Sequence, residues 1–211
     1  MRALRAPHGL YAITPASVSG DELFARVARA LEGGLGALQY RDKSADSARR
    51  LSEAAALARM CRAAGTLFIV NDDVELALAA DADGAHLGSG DGDLSSARAR
   101  LGSKLLGASC YDSLALAGRA VAAGADYIAF GSVFASPTKP AAVRASLGLF
   151  AQARTLGVPM AAIGGITIDN AGQVIAAGAD SVAVITDLFE APDITAQARR
   201  YGARFAAADR P

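Results

Sequence analysis

Tryptophan is absent from this chain of 211 residues, and cysteine and histidine occur only twice each. Two cysteines, Cys61 and Cys110, cannot build a disulfide framework, and no Cys-x-x-Cys pair or His-rich cluster offers a zinc site. A reducing, cytoplasmic setting is the expectation. Charge of one sign is lacking too: 21 Lys+Arg balance 21 Asp+Glu, and no basic stripe marks a surface for a nucleic-acid backbone. Long apolar runs are missing as well. Gly, Asp or Lys cuts each one well short of the ~18 residues a membrane helix needs, and the opening MRALRAPHGLYAIT has charge but no apolar signal core. The expected partners are therefore small-molecule substrates rather than nucleic acid or membrane. A homo-oligomer is compatible with the sequence, which leaves the oligomeric state open.

What the chain does have is apolar material, 52% of its residues, spread evenly with no Pro/Ser-rich linker. Residues 1–211 read as a single domain. A cadence repeats along it: a short β-rich run, a turn, an Ala/Leu/Arg stretch at helical spacing, then Gly. The strands read as GLYAIT from Gly9, GALQYRD from Gly36, LFIVND from Leu67, GAHLGS from Gly84, KLLGASC from Lys104, YIAFGSVF from Tyr127, PMAAIGG from Pro159 and SVAVIT from Ser181. Helices such as DELFARVARALEGG and SARRLSEAAALARMCRAAG separate them, with Gly where a left-handed C-cap belongs. The string AAGAD recurs at 122–126 and 176–180, each time between helix and strand. Eight near-continuous apolar strands alternating with helices predict an α/β fold of the (β/α)8 TIM-barrel type. A doubly wound open sheet is the alternative, but Gln39 stands where a dinucleotide fingerprint needs its third Gly.

With every strand drawn pointing up, the informative polar residues fall at the top, where such barrels build their sites. Gln39, Arg41 and Lys43 end strand two, Asn71 and Asp72 end strand three, and Asp91 follows strand four. Ser109 ends strand five, Ser136, Thr138 and Lys139 lie beyond strand six, Gly164 and Gly165 end strand seven, and Thr186 ends strand eight. Three cations, Arg41, Lys43 and Lys139, thus face two anions, Asp72 and Asp91. They can be ion pairs, or they can be the two halves of a diphosphate site in which Mg²⁺ bridges carboxylates to phosphate oxygens and Arg and Lys neutralise the rest. IGGIT and VIT suggest a second anion site, because glycines let backbone N–H groups approach a phosphate; a plain tight turn is the alternative. Asn71 and Asp72 can also cap the helix that starts near Asp73. Ser109 can simply satisfy a backbone group, and no His stands near it in a triad-like pattern. His86 and Cys110 read as core residues.

The residues QYRDK, VNDD, HLG followed by Asp91, GASCYDS, SPTKP, IGGIT and VIT, in register at consecutive strand ends, resemble the thiamine phosphate synthase family over nearly the whole chain. The resemblance implies a Mg²⁺-dependent transferase that joins 4-amino-2-methyl-5-(diphosphooxymethyl)pyrimidine to a thiazole phosphate, giving thiamine phosphate and diphosphate. It implies that the run Gln39, Tyr40, Arg41, Asp42 and Lys43, with Asn71, Ser109 and Lys139, holds the pyrimidine diphosphate, and that Arg41, Lys43, Ser109 and Lys139 are the catalytic set. Asp72 and Asp91 become the Mg²⁺ ligands. Ser136, Pro137, Thr138 and Gly165, with Ile185 and Thr186, become the thiazole-phosphate site. Diphosphate is expected to leave first, so no nucleophile is needed, and the long stretch from Ala135 to Ser146 is expected to close over the substrates. Relative to common family residues, Ser89, Ser136, Thr186 and Asp187 differ. A carboxylate at 187 suits a neighbouring phosphate only if it turns outward in the first turn of the last helix. The rival readings are a thiazole-phosphate tautomerase of the same fold, which needs no diphosphate or metal pocket, and a non-catalytic phosphate-binding regulator.

Overall fold

The computed structural model describes residues 6–135 and 144–208. Eight parallel strands close on themselves in sequence order: β1 (Gly9–Ile13), β2 (Ala37–Tyr40), β3 (Leu67–Asn71), β4 (Gly84–Leu87), β5 (Leu105–Tyr111), β6 (Tyr127–Phe130), β7 (Met160–Ile163) and β8 (Ser181–Val184). β1 pairs with both β2 and β8, which completes the barrel. Helices α1 (Gly20–Gly33), α2 (Ser47–Ala64), α3 (Val74–Ala79), α4 (Leu94–Leu101), α5 (Leu114–Ala122), α6 (Gly148–Ala153) and α7 (Ala171–Ala176) follow strands one to seven. Two helices follow β8, the short α8 (Thr186–Phe189) and then α9 (Ile194–Ala208). The fold is a TIM barrel, as the alternation predicts. Asp187 belongs to the four-residue α8 and not to the last helix.

Seven of the strand segments read from the sequence enclose an observed strand, and β5 runs one residue further than expected, to Tyr111. The observed strands are short because the polar residues at their C-terminal ends leave the ladder and line the rim. Alternation then divides the core. Tyr11, Ile69, Leu105, Tyr127 and Ala161 are among the residues that fill the barrel, while Leu10, Leu38, Val70 and Leu106 pack outward against the helices.

Local chemistry fixes the helix starts. The carboxylates of Asp46, Asp73 and Asp93 and the hydroxyl of Ser113 accept from the amides of Arg49, Leu76, Ser96 and Leu116. In the NDD run the capping role thus falls to the third residue, Asp73, which leaves Asn71 and Asp72 to the rim. At the end of α2, Gly65 takes the left-handed conformation expected of a C-cap.

Candidate active site

The C-terminal rim opens into a cavity of ≈ 360 Å³ whose lining includes Lys43, Asn71, Asp72 and Asp91. Asp72 holds a left-handed backbone, φ 64°, uncommon for a residue other than glycine. Its amide donates to His86 O at 2.9 Å, which ties the end of β3 to β4. Burial and the adjoining Asp91 carboxylate push the Asp72 carboxyl above its usual range, and Lys43, 3.3 Å from Asp72 Oδ2, offsets this only in part. Asp91 is aimed by its own turn, where Gly88 N donates to its Oδ2 at 2.8 Å. The Ser89 amide and hydroxyl both meet the Tyr111 hydroxyl, at 3.2 and 3.0 Å, so the loop after β4 is joined to the end of β5.

The turn carrying Arg41 and Lys43 is held from both sides. Thr14, buried at the end of β1, accepts from Arg41 N at 2.9 Å. Behind β2, Glu53 of α2 is only 3% exposed and accepts from Tyr40 Oη at 2.7 Å, Gly20 N at 2.8 Å and Arg49 at 3.1 Å. Arg49 also pairs with Asp42 at 2.8 Å and donates to Ser44 Oγ at 2.7 Å. Burial alone would raise Asp42, but the Ser44 amide and hydroxyl and the Arg49 charge outweigh it and hold the carboxyl below its usual range.

Across the rim, the β7 and β8 loops meet. Gly164 and Gly165 both have positive φ, 98° and 65°, and a Cβ on either would overlap Ser132 or the backbone of Phe134 and Ala135. These glycines therefore serve close packing against the loop after β6 as well as any approach of an anion. Asn170 braces their turn: its Nδ2 donates to Gly165 O and its Oδ1 accepts from Thr167 N, both at 2.9 Å. Asp187 does turn away. Its Oδ2 accepts from Gln197 Nε2 and Tyr201 Oη at 2.6 Å and from Ile168 N at 3.2 Å, so the carboxylate is spent on α9 and the β7 loop.

Beneath the rim a line of polar groups crosses the barrel interior. Gln39 Nε2 donates to Tyr11 Oη at 2.8 Å, Tyr11 Oη meets Tyr127 Oη at 2.8 Å, and His86 bridges Tyr127 Oη (Nδ1, 3.1 Å) to Ser109 Oγ (Nε2, 2.9 Å). Burial lowers His86 to about 4, so it is neutral near pH 7.

Comparison with known proteins decides what this rim belongs to. A family profile described as thiamine monophosphate synthase matches residues 10–188. The thiamine-phosphate synthase of Chromobacterium violaceum is 58% identical over 200 residues, covering 94% of this chain and 97% of that one. The chain belongs to the thiamine monophosphate synthase family. Its relative of the same description in Aromatoleum aromaticum is 57% identical, covering 93% of this chain and 96% of that protein. Among solved structures, a thiamine phosphate pyrophosphorylase from Pyrococcus furiosus superposes with TM-score 0.88 at 34% identity, over 98% of this chain and all of that one. A 3-hexulose-6-phosphate synthase, at TM-score 0.65 and 17% identity, shares the barrel alone.

Within this family frame the structure brings Lys43, Asn71, Asp72 and Asp91 to one cavity, with the backbone of Arg41 anchored beside it and Gln39 and Ser109 at the two ends of the interior line. The Tyr40 side chain is directed outward to Glu53, because alternation along β2 puts Gln39 inside and Tyr40 outside, while Asp42 lines the same cavity with its carboxylate engaged by Ser44 and Arg49. Ser136, Pro137, Thr138 and Lys139, and with them most of the stretch expected to close over the substrates, lie outside the described residues. Sequence reading passed over Thr14, Glu53, Tyr11 and Tyr127. Glu53 carried a signal: it precedes Leu57 by one helical turn, on the buried face of α2.

Proposed function

We propose that this member of the family joins 4-amino-2-methyl-5-(diphosphooxymethyl)pyrimidine to a thiazole phosphate at the C-terminal rim, releasing diphosphate. The observation that carries the reading is the Asp72–Asp91 pair. Two carboxylates held together, one with its affinity for protons raised by burial and by the other, and with Lys43 beside them, have a geometry completed by a hard cation. Their oxygen donors fit Mg²⁺, which prefers one or two carboxylates, substrate phosphates and water; among the described residues no set of three His, Cys, Asp or Glu forms a closed cage. Bound there, Mg²⁺ supplies charge neutralisation for a departing diphosphate.

The chain's own residues do the rest. Arg41 and Lys43 neutralise phosphate oxygens that the two aspartates would repel, and Asn71 orients them. Gln39 and Ser109 hold the pyrimidine ring from opposite sides of the barrel. The glycines at 164 and 165, with Ile185 and Thr186, offer backbone amides to the thiazole phosphate. Lys139, Ser136, Pro137 and Thr138 are assigned by family resemblance. Leaving-group departure precedes attack by the thiazole nitrogen, so the barrel's work is holding both partners together and keeping water from the pyrimidinylmethyl cation.

The test is to incubate the protein with both phosphorylated substrates and Mg²⁺ and to follow diphosphate release together with thiamine phosphate formation. Chelation should abolish both, and fresh Mg²⁺ should restore both. Product formation undiminished by chelator would remove the metal from the reading.

A further inference from the structure

The line of hydrogen bonds through the barrel interior has a direction. Gln39 Nε2 gives a proton to the Tyr11 oxygen, and the Tyr11 hydroxyl proton then has Tyr127 Oη as its acceptor among the described residues. With the Tyr11 proton on Tyr127 Oη, the Tyr127 proton has His86 Nδ1, 3.1 Å away, as its acceptor. A neutral imidazole accepting at Nδ1 carries its proton on Nε2, so His86 donates to Ser109 Oγ. Ser109 accepts there, which frees its own hydroxyl proton. At the other end, Gln39 Oε1 has no protein partner among the described residues and is not among the atoms sealed from solvent without one. Room for the line is built into β5: a Cβ at Gly107 would overlap the Tyr127 ring and hydroxyl and His86 Nδ1.

We infer that Tyr11, Tyr127 and His86 are positioning residues that set the polarity of the floor of the site, fixing Gln39 as an acceptor and Ser109 as a donor toward the ligand. This rests on the synthase reading for its ligand, a ring bearing a donor on one edge and an acceptor on another, as an aminopyrimidine does. Reversing the line would turn the Gln39 amide around and use the Ser109 proton on His86. The same five residues would then present the opposite pattern and reject that ring. The three buried residues touch no reacting atom. They act through the two that face the ligand.

Only His8 and His86 carry imidazoles, so protein labelled on histidine with an NMR-active nitrogen isotope gives two resolvable rings. The expected spectrum of the free protein has the His86 proton on Nε2 and a bare, hydrogen-bonded Nδ1. A proton on Nδ1 would overturn the polarity. Tyr127→Phe keeps the ring and deletes the central hydroxyl. It should move the Nδ1 resonance toward that of a free imidazole and raise the KM for the pyrimidine diphosphate about tenfold, leaving the KM for the thiazole phosphate within about twofold. Unchanged KM for both substrates would overturn the positioning role, since a purely structural hydroxyl lowers Tm without separating them. Should that variant not fold, Tyr11→Phe breaks the line one link further on, and the wild-type spectrum needs no variant. An inactive wild type with His86 protonated on Nε2 would uphold the polarity while counting against the synthase reading.

Discussion

At the N-terminal rim of the barrel, Asp83, Asp126 and Asp180 each stand immediately before an even-numbered strand and clamp the odd-numbered one beside it. Their amides donate to Phe68 O, Leu106 O and Met160 O, and their carboxylates accept from Phe68 N, Leu106 N and Met160 N, at 2.7–2.9 Å throughout. The AAGAD repeat is the sequence trace of two of these clamps. Gly36 holds the fourth place, before β2, because a Cβ there would run into His8 O. At the opposite rim, Asp72 and Asp91 lean on each other. An aspartate whose acceptors are filled by strand amides holds the barrel together, whereas one set against another aspartate keeps carboxylate oxygens that the proposed Mg²⁺ would complete. The same residue type is read by what already satisfies it.

Breaking the upper pair should have the largest effect. Asp91→Asn keeps an acceptor for Gly88 N but removes the charge, and turnover should fall by about 10²–10³ while Tm barely moves, as for loss of one well-placed electrostatic contact in a catalytic site. Steady-state kinetics beside thermal unfolding would decide. Activity within a few-fold of wild type would take Asp91 out of the metal site and dissolve the contrast between the rims.

Next in size is a pH effect from the interior that joins the rims. His86 titrates near pH 4 in the folded chain because burial disfavours the imidazolium, against an ordinary value of 6.5. Between those values the unfolded chain binds the extra proton, so this residue's contribution to stability falls as pH drops from 6.5 and levels below 4, by up to a few kcal/mol at ~1.4 kcal/mol per pH unit. Asp72, raised on folding, contributes with the opposite sign. Comparing wild type with His86→Gln isolates the histidine: the difference between their denaturation midpoints should narrow with acidification. A constant gap from pH 7 to 4 would mean that folding leaves the His86 imidazole at its ordinary value and that burial does not lower it.

Sharpening the comparison from below, Asp126→Ala should lose about 2 kcal/mol, because Leu106 N and Arg98 forfeit their shared partner, and should leave turnover within about twofold at temperatures where the protein stays folded. A selective loss of activity without loss of Tm would mean that the lower rim does more than hold the barrel.

How much of this was legible in the chain follows from the range of each signal. Strand order and the residues at strand tops came through because periodicity of two, glycine punctuation and polar residues at run ends are local patterns, and Lys43, Asn71, Asp72 and Asp91 meet because parallel closure leaves them little choice. Partner choice across the barrel is another matter. Tyr11 and Tyr127 lie 116 residues apart, and nothing within either strand says that their hydroxyls meet or that His86 reaches Ser109. Glu53 shows both sides of this. Its place on the buried face of α2 was readable, but its partners Tyr40 and Gly20 were not.

Tyr40 tests that last distinction with the smallest expected effect. Family resemblance places it in the diphosphate-binding run, whereas its hydroxyl meets Glu53 on the far side of β2 at 2.7 Å. Tyr40→Phe preserves the packed ring and removes one of several donors to a carboxylate that keeps Gly20 N and Arg49. The cost should be about 1 kcal/mol in chemical denaturation, the net worth of one hydrogen bond. Because Thr14 and the Asp42–Arg49 pair still anchor the Arg41–Lys43 turn, the KM for the pyrimidine diphosphate should stay within about twofold of wild type. A tenfold rise in that KM at unchanged stability would put the hydroxyl in the ligand's path, against the outward direction that alternation along β2 gives it.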